Sequence, residues 1–166
     1  DVYKRQIMNN NEPIWQQHQF FMTKAIELAE QAYKKDEVPV GAVVVKENKV
    51  IGKGYNQVES LGDATAHAEM IALSAAYETN GSKYLHGATL YVSLEPCVMC
   101  AGALIWSKID RLVFGASDSK SGACGSLFNI HNNPSLNHRF EVIQGILEAD
   151  AENLLKRFFA KKRIKG

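Results

Sequence analysis

The apolar positions along the chain change their period several times, and each change marks an element. Phe21, Ala25, Leu28, Ala29 and Ala32 recur at three- and four-residue spacing, the period of one helix face. Asn11-Glu-Pro-Ile ahead of them supplies a capping residue and an early proline, so a helix is predicted from there to about Lys35. Residues 40–45 form a β-branched apolar run. A second run, Lys49–Tyr55, follows the polar pair Glu47-Asn48, and the two read as a hairpin. Residues 56–64 read as a loop. The alanine-rich stretch 65–78 reads as a helix ending before Asn80-Gly81. A strand is predicted over 89–94, a buried helix with proline in its first turn over 96–106, and a short strand over 111–114. Residues 117–134, rich in glycine, serine and asparagine, read as a long loop or a loop with a short turn, and such loops in compact domains are usually functional or disordered. A last strand over 139–144 and a last helix over 147–160 complete the order α-β-β-α-β-α-β-β-α. That order predicts an α/β fold with one five-stranded mixed sheet covered by helices on both faces.

Length and composition narrow the classes. The 166 residues suffice for one sizeable core but not comfortably for two, and 46% hydrophobic content is ordinary for a globular chain. No apolar run approaches the roughly 20 residues that span a bilayer. Residues 1–7 read as a non-native leader, with the natural start at Met8 and a single domain over 8–166. The three cysteines do not form a disulfide framework, and the close pair Cys97-Val-Met-Cys100 suits a metal or redox role in a reducing cytoplasm. The net charge is only +1, but six of the last eleven residues are basic. Those cations fit either a solvated helix end complementing its dipole or a tail that contacts phosphates.

The chemistry begins at Cys97 and Cys100. Three apart at a predicted helix start, both sulfurs can reach one ion, and the helix terminus favours thiolate. A lone pair of this kind fits a redox couple, half of a structural zinc site, or two buried cysteines. A structural zinc needs a fourth protein ligand, and no second Cys-x-x-Cys exists. Thirty residues earlier stands His67-Ala-Glu69. His67 completes a three-ligand site with a position left for water, the mark of catalytic zinc. Glu69, about 200° around a helix from His67, is placed as general acid and base rather than ligand. His-x-Glu followed by Pro-Cys-x-x-Cys is the signature of the zinc deaminases. Cys124 reads as a free thiol in the loop, His18 as a surface or packing residue, His86 as solvated, His131 and His138 as structural, and Trp106 as packing, at a dimer interface or elsewhere.

Longer strings are more specific. Glu37-Val-Pro-Val-Gly-Ala42, Gly54-Tyr-Asn56, Thr65-Ala-His-Ala-Glu69, the run from Thr89 to Gly102 containing Pro-Cys-Val-Met-Cys-Ala-Gly, and Val113-Phe-Gly-Ala116 resemble the bacterial tRNA-specific adenosine deaminases. The likeness extends from about Phe20 to Lys162. It implies a cytidine-deaminase-like three-layer α/β/α sandwich, a homodimer, and one zinc per subunit. It also implies hydrolytic conversion of adenosine to inosine at the wobble position of a tRNA anticodon stem-loop in the cytoplasm. Carried onto this chain, it makes His67, Cys97 and Cys100 the zinc ligands and Glu69 the proton carrier. Asn56 would bind the flipped base. Asp118 and Lys120 would contact RNA from the long loop, and Phe159 and Lys162 from the last helix, with one of Phe158 and Phe159 in the core. Ala64 departs from the family's proline at that position, which would loosen the loop before the zinc helix. The competing readings are a free-base or nucleoside deaminase acting on guanine, cytosine or cytidine, and an inactive zinc- or RNA-binding module.

Overall fold

A computed structural model describes residues 13–165. The suggested cap Asn11 and residues 1–7, expected to be a leader, lie outside those residues. The elements are α1 (Pro13–Lys34), β1 (Gly41–Lys46), β2 (Lys49–Tyr55), α2 (Val58–Leu61), α3 (Ala68–Asn80), β3 (Ala88–Leu94), α4 (Val98–Ser107), β4 (Arg111–Ala116), a 3₁₀ turn (Ile130–Asn132), β5 (Glu141–Gln144) and α5 (Glu148–Lys165). The strands form one sheet in the order β2-β1-β3-β4-β5. β1 pairs antiparallel with β2 and β3, and β3-β4-β5 run parallel, so the sheet is mixed, as its sequence suggests.

Period-2 alternation on buried strands sends neighbours to opposite faces. Val43, Tyr91, Val113 and Ile143 stand opposite one another across four strands and pack under α1 with Phe21, Met22, Ala25 and Leu28. The alternate residues Val44, Leu90, Leu112 and Phe114 meet α3 and α4 through Ala72, Leu73, Ala101 and Leu104. α5 joins the α1 side, resting on β4. The result is three layers with a core on each side of the sheet. The contact with α1 is so close that a Cβ on Gly41 would overlap the Ala25 carbonyl and lie 2.5 Å from the Ala29 nitrogen. The β1-β2 turn places Glu47 and Asn48 at φ 52° and 62°, the left-handed pair a two-residue hairpin requires.

Three features differ from the sequence reading. The stretch 56–64 holds the short helix α2, whose amides are satisfied from outside by the Glu37 side chain. Both site helices start later than their composition implies. His67 and Cys97 each sit at the extended position immediately before the helix. Trp106 is 75% exposed, so most of its ring is left uncovered within the described residues.

Candidate active site

The starts of α3 and α4 face the same end of the sheet, where β2, β3 and β4 finish and β1 begins. Segments leaving parallel strands at their carboxyl ends form the crevice in which α/β proteins bind ligands. Here that crevice is a cavity of about 770 Å³, lined among others by Glu37, Asn56, His67, Glu69, Cys97 and Asp118.

His67 and Cys97 are the N-cap residues of α3 and α4, and neither side chain caps its own helix. Both are left to converge. His67 Nδ1 lies 3.6 Å from Cys97 Sγ and 3.5 Å from Cys100 Sγ. All three donor atoms fall within 4.8 Å of one another, and no other His, Cys, Asp or Glu joins them among the described residues. Donors held at zinc bond lengths of 2.0–2.3 Å in a tetrahedron stand about 3.5 Å apart, so the group has the spacing and the N/S composition that zinc takes. Three protein donors are one fewer than a closed structural site uses.

The electrostatics follow from crowding. The neighbouring Cys100 thiol holds Cys97 down at about 4 against the opposing effect of burial, with His67 and the amide of Cys100 helping. Cys100 itself is pushed up by Cys97 and by burial. His67 is raised, chiefly by its bond to Cys97. Glu69, in the first turn of α3, is 4% exposed. Burial raises its carboxyl, with Cys100 and His67 beside it acting in the opposite sense.

Asn56 follows β2 and is nearly buried in the cavity wall. Its Nδ2 donates to the Val38 carbonyl at 3.2 Å and its Oδ1 accepts from the Val58 amide at 3.4 Å, which orients the amide group. Asp118 lines the same cavity, but its Oδ1 already accepts the amides of Lys120 and Ser121. Lys120, Phe159 and Lys162 lie not at the cavity floor but in an adjoining groove, which shares Asp118 and Lys162 with the cavity. Lys162 donates to Asp36 at 2.6 Å, and Lys161 approaches the same carboxylate at 3.9 Å. Phe158 is buried against Tyr33 while Phe159 is exposed, so the adjacent rings divide between core and groove. The segment carrying Ala64 is held by an Asp63 side chain that accepts both the amide and hydroxyl of Thr65.

Cys124 is buried and stands apart from the metal-ligand group, its thiol pushed up to about 12 by burial. His18 is buried against Tyr91, His86 is exposed beside Tyr84, and His138 donates to the Ile109 carbonyl. Two buried carboxylates, Glu37 and Glu95, have no role in the sequence reading and are prominent in the structure. Their only signal is an acidic residue one or two positions before a proline at a strand boundary.

The comparisons with known proteins agree with this geometry. Residues 15–116 match the model of the cytidine and deoxycytidylate deaminase zinc-binding region. The chain is 48% identical over 145 residues to the tRNA-specific adenosine deaminase of Aquifex aeolicus, covering 87% of this chain and 95% of that protein. It is 42% identical over 149 residues to the corresponding Bacillus subtilis protein, covering 90% and 92%. A solved structure from work on A-to-I editing by tRNA:A34 deaminases superposes with a TM-score of 0.79 at 41% identity, covering 82% of this chain and 99% of that one. A guanine deaminase from Nitrosomonas europaea superposes with a TM-score of 0.71 at 29% identity, covering 90% and 93%. With its fold, its His-Cys-Cys donor group and these likenesses, the chain belongs to the tRNA-specific adenosine deaminase family, within the zinc-binding cytidine and deoxycytidylate deaminases.

Proposed function

We propose that this protein deaminates adenosine to inosine at the wobble position of a tRNA anticodon, with one zinc per subunit held by His67, Cys97 and Cys100. The observation that carries this reading is Glu69, a buried carboxyl beside a three-donor group on the floor of an open cavity. A structural zinc site has no use for such a group.

His67, Cys97 and Cys100 would hold a zinc ion whose chemistry there would be the activation of water, by lowering its pKa from 15.7 towards 7. Glu69 takes the first proton as water adds to the carbon bearing the amine and passes it to the ring nitrogen. It then takes the second from the new hydroxyl and passes it to the departing amine, so that adenosine and water become inosine and ammonia. Burial suits a carboxyl to that exchange by bringing its affinity for protons nearer neutrality. Asn56, its amide fixed by Val38 and Val58, bonds the extruded base. A loop base is already partly unstacked, so extrusion costs at most a few kcal/mol.

The adjoining groove favours folded RNA over a free base. It carries Lys120, Lys162 and Arg163 for phosphates and the exposed ring of Phe159 for stacking. Asp118 shapes the rim through its bonds to Lys120 and Ser121. A second copy of the chain is the partner proposed for the outer face of α4, where Val98 and Trp106 expose apolar surface on either side of Gly102. No helix among the described residues is long and apolar enough to cross a membrane. A tRNA substrate is consistent with a cytoplasmic enzyme.

Incubating the protein with anticodon stem-loops that differ at the wobble base, and sequencing the products, tests the reading. Inosine is expected only where that base is adenine. Ammonia release from free guanine or cytosine without RNA conversion would overturn it.

A further inference from the structure

Two walls of the cavity lie outside the sheet and the long helices: residues 56–62, which hold only the four-residue helix α2, and the irregular segment 117–127. Such backbone ordinarily shifts easily. Each wall is nevertheless tied to the sheet by a buried carboxylate outside the metal-ligand group.

Glu95 leaves the end of β3 and is 2% exposed. Its Oε1 accepts the Asp118 amide at 3.0 Å and the Ser126 hydroxyl at 2.5 Å. Its Oε2 accepts the amides of Cys124 at 3.1 Å and Ser126 at 3.0 Å. A carboxylate has about four lone-pair sites, and all four are engaged by donors. Gly122 supplies an independent observation. A Cβ there would run into the Glu95 carboxylate. The loop therefore wraps this group so tightly that only glycine fits. On the opposite wall Glu37, fully buried ahead of β1, accepts the amides of Glu59 at 3.0 Å and Ser60 at 2.6 Å and the Ser60 hydroxyl at 2.5 Å. Those are amides in the first turn of α2, the turn that follows Asn56.

We infer that Glu95 is a positioning residue that sets where the wall carrying Asp118 and Ser121 stands, and so how well the cavity accepts its RNA, while Glu37 does the same for the wall behind Asn56. Neither touches the reacting atoms, since their oxygens are occupied by loop donors. The inference rests on the reading of the cavity as an RNA adenosine site.

Glu95→Gln keeps the volume but turns an NH₂ group towards loop donors. Gly122→Ala keeps every donor and acceptor but adds a methyl against the carboxylate. In both variants KM for the stem-loop is expected to rise about ten-fold, the scale of one buried polar group left unmatched, with kcat within about three-fold of wild type. Zinc content should stay at one per chain. Hydrogen exchange should accelerate at the amides of Asp118, Cys124 and Ser126, and not at those of Glu59 and Ser60. Glu37→Gln should reverse that exchange pattern. If Glu95→Gln does not fold, Gly122→Ala carries the same test. Unchanged exchange over 118–126, a fall in kcat at constant KM, or loss of zinc would each overturn the assignment. Wild-type protein that converts no stem-loop defeats the functional reading instead, while exchange and zinc content still judge the tether.

Discussion

The smallest scale at which this protein makes chemical sense is four side chains. His67 and Cys97 stand just before their helices, so their side chains point past the helix ends and not along a helix face. This corrects the picture of His67 and Glu69 on one helix: Glu69 lies in the first turn and His67 ahead of it. That placement suits the proposed division of labour, because the donor His67 and the proposed proton carrier Glu69 come from backbone in different conformations. Removing the carboxyl should leave the donors in place. Glu69→Ala is expected to bind zinc at one ion per chain while turnover falls by at least about 10²-fold, the lower end for loss of a general acid-base group. Metal analysis beside single-turnover product formation checks both halves, and near-normal turnover would remove Glu69 from the mechanism. The zinc-binding spacing was legible in the sequence because His-x-Glu and Pro-Cys-x-x-Cys are short local patterns. Glu95 and Glu37 were not, because what they do is accept bonds from residues more than twenty positions away.

At the scale of elements, close contacts decide more than propensities do. β1 is β-branched and apolar, which made it readable, but its first residue is a glycine pressed against α1. Gly41→Ala puts a methyl into the backbone of α1, and neither partner can move without opening a core. Overpacking of this kind costs about 3 kcal/mol. A urea midpoint shift of that size is expected, and a change below about 1 kcal/mol would show that the layers are looser than described. The short helix α2 illustrates the converse. Four residues cannot hold a helix alone; this one persists because the Glu37 carboxylate satisfies two amides of its first turn. No periodicity announces it. The long glycine- and serine-rich segment is readable as a loop by composition, but the four hydrogen bonds that tie it to Glu95 are not.

Across the whole molecule, two features outside the cavity matter. One is the face of α4 that bears Val98 and Trp106, exposed to 53% and 75%. Trp106 reads from sequence as a packing residue, at a dimer interface or elsewhere, and its exposure leaves most of that packing to be made outside the single subunit. Trp106→Glu should shift the protein towards monomer in sedimentation velocity at micromolar concentration; an unchanged species would move any subunit interface elsewhere. The other is His18, buried between α1 and the sheet, with Nδ1 2.8 Å from the Tyr91 hydroxyl and no partner for Nε2 among the described residues. Burial lowers its pKa from 6.5 to about 4; Arg111 nearby acts in the same direction, and Glu141 opposes it. The folded value lies below the unfolded one, so as pH falls the unfolded chain takes up the proton first. This contribution is complete above about pH 6.5 and is lost between there and about pH 4. At about 1.4 kcal/mol for each pH unit of that window, up to about 3 kcal/mol is at stake. Urea midpoints across that range should fall less steeply in His18→Gln than in wild type, and parallel curves would show that His18 does not titrate on unfolding.

The sequence by itself determined the order of elements, the mixed sheet and the donor set, because hydrophobic period and ligand spacing are properties of neighbouring residues. The role proposed for Asn56 rests on resemblance, since a loop asparagine reads equally as a turn residue, and the basic end of α5 fits a solvated helix end as well as a phosphate contact. Tertiary structure alone decided that Lys162 is held by Asp36, that Asp118 spends one oxygen on its own loop, and that Phe158 is core while Phe159 faces the groove. It alone tied the cavity walls to Glu37 and Glu95. Burial and hydrogen bonding across twenty or more residues depend on which surfaces meet, and that is set only when the layers pack.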